Sequence, residues 1–139
     1  MNDHPMTYLV DGNNVMGQRV GWHRDKAGAR RRLIGELARY VRLTGDGVDV
    51  VFDGAPDEGV ADGARVDGVG VHFADPGSDA DSRIRQLVQA VPDRPSLIVV
   101  TSDRRLVERV RELGATVTSS GSFRGRLTST LQSGPTTET

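Results

Sequence analysis

Short apolar runs that stop at an acid alternate with longer amphipathic stretches along the 139 residues. Tyr8-Leu9-Val10 runs straight into Asp11-Gly12-Asn13-Asn14. Three apolar residues halted by a carboxylate and a glycine predict a buried strand over 7–11 with a tight turn behind it. The arrangement returns in Val48-Asp49-Val50-Val51-Phe52 before Asp53-Gly54, and in Leu97-Ile98-Val99-Val100-Thr101-Ser102 before Asp103. Val69, Val71 and Phe73 alternate with Gly68, Gly70 and His72 as a half-buried strand does, and Ala115 to Thr118 reads as a short fifth strand.

Helical periodicity fills the intervals. Leu33, Ile34, Leu37, Ala38 and Val41 recur at three and four residues and predict a helix from Asp25 to about Leu43, ended by Gly45 and Gly47. Ile84, Leu87, Val88 and Val91 make a second stripe, on a helix that follows the turn Pro76-Gly77-Ser78. Leu106, Val107, Val110 and Leu113 make a third, capped by Gly114, and Ser122 to Gln132 adds a small helix. Residues 12–23 and 54–66 read as loops, with a hairpin-like link from the second strand to the third. Strands alternating with helices call for an α/β fold of three layers, α/β/α, around a mainly parallel five-stranded sheet with right-handed crossovers. One domain over 1–132 with a loose lead-in and a polar tail at 133–139 is expected.

Composition narrows the classes. A chain with 27% charged and 36% apolar residues is neither disordered nor membrane-embedded, and no apolar run approaches the ~18–20 residues that spanning requires. No basic segment followed by an apolar one opens the sequence, and a cytoplasmic location is expected. The absence of cysteine excludes disulfides, thiolate metal sites and a cysteine nucleophile. Net charge is −1, yet 17 of the 18 basic residues are Arg, with a run at Arg30-Arg31-Arg32; Arg forks match phosphate oxygens, and a solvated helix face accounts for the run equally well.

The acids carry the candidate chemistry. In an open parallel sheet the crevice lies at the carboxyl ends of the strands, which is where Asp11, Asp53 and Asp103 fall. Asp79 and Asp81, at the start of the second helix, approach the same rim, two residues apart and so expected to point different ways. Each acid has an ordinary reading: Asp103 as a helix N-cap, Ser78 with Asp81 as a capping box, Asp53-Gly54 and Asp11-Gly12 as turns. Their conjunction is harder to dismiss. Two carboxylates about 4 Å apart repel by roughly 4 kcal/mol at an effective dielectric near 20. Gathering several calls for a cation, a raised pKa or intervening water, and Mg²⁺ or Mn²⁺ takes such hard oxygen ligands. Asn13 and Asn14 add neutral donors and acceptors beside Asp11, and Thr101 and Ser102 add hydroxyls able to orient a water or phosphate oxygen. His4, His23 and His72 are scattered, and neither a phosphate-binding P-loop nor a dinucleotide glycine fingerprint is present.

Taken in order, Leu9-Val10-Asp11-Gly12-Asn13-Asn14-Val15, Val50-Val51-Phe52-Asp53-Gly54, Ala80-Asp81-Ser82-Arg83-Ile84 and Thr101-Ser102-Asp103 resemble the motifs of NYN-domain proteins of the PIN-like nuclease superfamily, most of all the bacterial YacP-type branch, over residues 7–120. The resemblance implies a five-stranded parallel sheet, one or two Mg²⁺ or Mn²⁺ ions and hydrolysis of RNA phosphodiesters, as an endoribonuclease. It assigns Asp11, Asp81 and Asp103 as catalytic metal-binding acids and gives Asp53 a supporting place; Asp79 falls where relatives carry an acid or a hydroxyl residue. Arg19, Arg24, Lys26, Arg30, Arg31, Arg32, Arg124 and Arg126 are then candidates for the RNA path.

Three rival readings compete with this one. A haloacid-dehalogenase-like phosphatase needs a second Asp where Asn13 stands and a Lys in a later motif, and Lys26 is the only Lys. A response-regulator-like receiver lacks its acid pair and its Lys, although Asp75 could supply its central acid. The remaining alternative is a module of the same fold that binds RNA or the ribosome without cutting.

Overall fold

The computed structural model describes residues 6–57, 59–74 and 79–133. Six strands form one sheet: β1 (Thr7–Asp11), β2 (Gly47–Phe52), β3 (Ala64–Val66), β4 (Val69–Phe73), β5 (Leu97–Val100) and β6 (Thr116–Thr118). Their order is β3-β4-β2-β1-β5-β6, and every neighbouring pair is parallel except β3 with β4. The helices are α1 (Gly12–Met16), α2 (Lys26–Thr44), α3 (Ala80–Ala90), α4 (Arg104–Glu112) and α5 (Ser120–Gln132).

Side-chain alternation along the strands divides the core. Tyr8, Val10, Val48, Val50 and Phe52 meet α1, α2 and α5 on one face. Leu9, Val51, Leu97 and Val99 meet α3 and α4 on the other. The apolar stripe on α2 faces the sheet, while Arg31, Arg32, Arg39 and Arg42 are exposed. Asp25 caps that helix, its carboxylate accepting from the Gly28 N–H at 2.9 Å, and Gly45 ends it in the left-handed region at φ 76°.

Four expectations change. The sheet has six strands, because the stretch read as a loop at 54–66 contains β3, which forms an antiparallel hairpin with β4. The link from β2 to β4 is accordingly a parallel connection. The stretch read as a loop at 12–23 holds the five-residue α1 and a 3-10 turn at Trp22–Arg24, both too short to register as periodicity. Finally, α5 begins at Ser120, two residues before the expected start, with Ser119 Oγ accepting from the Ser122 N–H at 3.0 Å. His4, Asp75, the turn Pro76-Gly77-Ser78 and the tail from residue 134 lie outside the described residues. His72 bonds Asp49 at 2.8 Å, which holds that carboxyl below its usual range.

Candidate active site

Strand order reverses at β1: the chain moves through α2 to β2 on one side, and later through α3 to β5 on the other. The carboxyl ends of these three strands therefore border the crevice of the sheet. Asp11 ends β1, Asp53 follows β2 and Asp103 follows β5, while Asp79 and Asp81 arrive at the start of α3. All five acids line one cleft of about 220 Å³, together with Arg105 and Arg109. Asp79 and Asp81 both border it, although their spacing suggested that only one would.

Asp11 sits at the centre and is 8% exposed. Its carboxyl is pushed up to about 6, first by burial and further by the neighbouring charges of Asp53 and Asp103. Opposing these are the Thr101 hydroxyl, which donates to Asp11 Oδ2 at 2.9 Å, and the backbone N–H of Asn14. Thr101 Oγ1 in turn accepts from the Asp103 N–H at 3.1 Å, so one buried hydroxyl ties two of the acids to each other's chain segments. Gly12 is required behind Asp11: a Cβ there would stand 2.6 Å from the Phe52 ring and 2.9 Å from the Val51 carbonyl oxygen.

The other acids are fixed by helix ends. Asp103 caps α4, with Oδ1 accepting from the N–H groups of Arg105 at 3.0 Å and Leu106 at 3.4 Å. Asp79 caps α3 through the Ser82 N–H at 2.9 Å, a bond that pulls its carboxyl below the usual range. Asp53 Oδ1 accepts from the Ala80 N–H at 2.9 Å, and the Asp53 N–H donates to Asn13 Oδ1 at 2.9 Å. Asp81 carries two arginines: Arg85 Nε at 2.8 Å and Arg109 Nη1 at 3.3 Å.

Asn14 pins the far rim. Its Oδ1 accepts from the Ser102 N–H at 2.8 Å and from the Ser120 hydroxyl, while Ser102 Oγ accepts from the Ser120 N–H at 2.9 Å. The N-terminus of α5 is thereby fixed to the residues flanking Asp11 and Asp103. Ser120, Arg105 and Arg109 were not legible as parts of this rim. Arg85 had a signal, since it stands four residues after Asp81 on one helix.

The basic residues proposed for RNA separate. Arg30 is buried: it donates to the Asp53 carbonyl oxygen, to Ala55 O at 3.1 Å and to Asp57 at 3.1 Å, and its guanidinium lies 5.4 Å from the Phe52 ring centroid and 5.3 Å from that of Phe73. It is a clamp on the segment after β2. Arg126 donates to the Tyr40 hydroxyl at 3.0 Å. Arg19, Arg24, Arg32 and Arg124 line a different cleft, and Lys26 lies beside it.

The donor set fits a hard divalent cation in kind: five carboxylates, one of them raised by burial and by its neighbours' charge. Among the described residues no three of these groups stand close enough to hold an ion as they are. Helix caps fix Asp79 and Asp103, and two arginines hold Asp81.

The YacP-like NYN domain matches residues 8–136 of the chain. Two crystal structures of Rae1 (YacP) from Bacillus subtilis are similar. One, the W164L mutant, has 30% identity and a TM-score of 0.74, with 91% of this chain and 76% of that chain covered. The other has 29% identity and a TM-score of 0.75, with 91% and 75% covered. Among curated proteins none matches.

Proposed function

The chain belongs to the YacP-like NYN domain family, and from that premise we propose that it is a divalent-metal-dependent endoribonuclease acting at the cleft around Asp11. One observation carries the reading: acids delivered by three strand ends and a helix start line a single cleft at the sheet's carboxyl edge, beside two arginines. NYN domains belong to a nuclease class, and the donor set is the hard-oxygen type that Mg²⁺ or Mn²⁺ takes.

Asp11, Asp81 and Asp103 would hold the ion or ions, with Asp53 and Asp79 in support. The chemistry supplied by a bound ion is activation of a water and compensation of charge at the phosphate. Thr101 orients the Asp11 carboxylate and favours its ionised form. Arg109 neutralises Asp81 in the free protein and, beside Arg105, offers a phosphate a cation within the cleft. Asn13 and Asn14 hold Asp53 and the α5 rim in place around it.

The test is cleavage of a labelled single-stranded RNA with Mn²⁺, Mg²⁺ or EDTA, beside Asp11→Asn and Asp103→Asn. Cutting that needs metal and is lost in both folded variants supports the reading. Salt-sensitive binding with no cutting under any metal would transfer it to a non-cleaving RNA- or ribosome-binding module. The arginine pairing of Asp81 is the feature that favours that second reading.

A further inference from the structure

The other cleft lies between the α1–α2 connection, the first turns of α2 and α5, and encloses about 130 Å³. Trp22, Arg19, Arg24, Arg32, Arg124 and Leu33 line it. Its lining carries four arginines against two acids, and part of that positive charge is unpaired. Glu36 is used by Arg124 at 2.9 Å and Arg19 at 3.3 Å, and Asp25 is used in capping α2. Arg24 and Arg32 have no ion pair among the described residues. Lys26 Nζ lies 5.9 Å from the Trp22 ring centroid, adding a further cation. Trp22 is half-buried and packs against the core, and Val20, on the same rim, is fully exposed.

The cleft is also close to the acid site along the chain. Asp11 immediately precedes α1, and Met16, the last residue of α1, lines the basic cleft. Five helical residues span roughly 7 Å, so one short helix separates the two. An arginine-rimmed hollow with an aromatic ring, beside a phosphodiester-cutting site, matches how single strands are held: phosphates on cations, bases on rings.

We propose that this cleft is a nucleotide subsite for single-stranded RNA, in which a base stacks on Trp22 and the flanking phosphates pair with Arg24 and Arg32. The proposal rests on the ribonuclease reading for its substrate class and deepens it by naming the path by which the strand leaves the acid cleft.

Trp22 is the only tryptophan of the chain, so its emission reports on this cleft alone. Unlabelled oligouridylate titrated in EDTA is expected to quench that emission saturably, with a midpoint equal to that from anisotropy of the labelled RNA. Heparin, a polyanion without bases, should bind without quenching. Arg24→Gln with Arg32→Gln should weaken RNA binding about tenfold or more and lower the log–log salt slope by about 1.4, as two single-strand phosphate contacts require. Trp22→Leu should weaken binding on the order of tenfold, and Trp22→Phe should restore most of it, which a loss of folding alone would not do. RNA that binds without quenching and is indifferent to the arginine pair overturns the proposal, as does quenching by heparin equal to that by RNA, or no RNA binding at all. Cleavage with Mn²⁺, read separately, keeps the two readings apart: cutting without quenching sinks the subsite alone, and quenching without cutting sinks the nuclease.

Discussion

Asp11→Asn is expected to abolish cleavage while making the protein more stable at alkaline pH. The Asp11 carboxyl rises from 3.8 to about 6 in the folded state. Folding therefore binds its proton more tightly than the unfolded chain does, the reverse of a salt-bridged acid. Below about pH 3.8 the group is protonated in both states and costs nothing. Between there and about pH 6 the cost accumulates, and above that it is constant at roughly 3 kcal/mol, at 1.36 kcal/mol per pKa unit. An asparagine keeps an acceptor for Thr101 but has one oxygen fewer, and losing the bond from the Asn14 N–H costs about 1 kcal/mol. The net gain at pH 8 is about 2 kcal/mol, a Tm increase of roughly 8 °C for a chain of this size. Urea unfolding in EDTA, followed by Trp22 emission at pH 4 and pH 8, checks it. The variant should be more stable at pH 8 and equal or weaker at pH 4. Destabilisation of the same size at both would mean that Asp11 bears no charge strain, and the argument for a crowded acid site would fall. Mn²⁺ at a hundred times its Kd should stabilise the wild type by about 2.7 kcal/mol and this variant far less.

Thr101→Val removes a bond that favours ionised Asp11, so the Asp11 carboxyl should rise further and the acid limb of the cleavage-rate profile should move to higher pH, with about 1 kcal/mol lost in urea unfolding. Arg109→Gln leaves Asp81 with Arg85 and should change stability by less than about 1 kcal/mol, since the arginine is partly solvated. It should tighten Mn²⁺ binding severalfold by calorimetry, and an unchanged affinity would show that Arg109 does not compete for Asp81. Gly12→Ala drives a methyl into the Phe52 ring and the Val51 carbonyl and should cost about 3 kcal/mol, measured by the urea midpoint.

Much of this architecture was written in the hydrophobic pattern. The buried runs before Asp11, Asp53 and Asp103 are parallel strands β1, β2 and β5, covered on both faces, so that within them only Asp49 interrupts the apolar residues. Three acids after three such strands fixed the neighbourhood of the candidate site. What escaped was of two kinds. Short elements such as α1 and β3 are held by tertiary contacts and carry too few residues for a period. Partners distant in the chain escaped as well: Ser120 meets Asn14 across 106 positions and Arg109 meets Asp81 across 28, and neither pairing leaves a local mark. Arg30 misled for a related reason. Its place in an arginine run resembles a solvated face, whereas two phenylalanine rings and the turn after β2 claim it alone of the three.

The helix-cap and metal-ligand readings of Asp103 appear exclusive in sequence and are compatible in space. Both capping bonds fall on Oδ1, from Arg105 and Leu106, and Oδ2 has no bond among the described residues. The cap fixes where the carboxylate stands, and the helix dipole favours its charge by roughly 0.3–1 kcal/mol. Asparagine caps a helix about as well as aspartate, while alanine does not. Asp103→Asn should therefore retain most of the wild-type stability, and Asp103→Ala should lose about 1 kcal/mol more, with the same collapse of metal-dependent cleavage in both. If the asparagine variant instead cut RNA at the wild-type rate, the charge of Asp103 would serve α4 alone and the site would have to be built without it. If the two variants unfolded at the same urea concentration, the cap would be contributing nothing, and the position of Asp103 would need another cause.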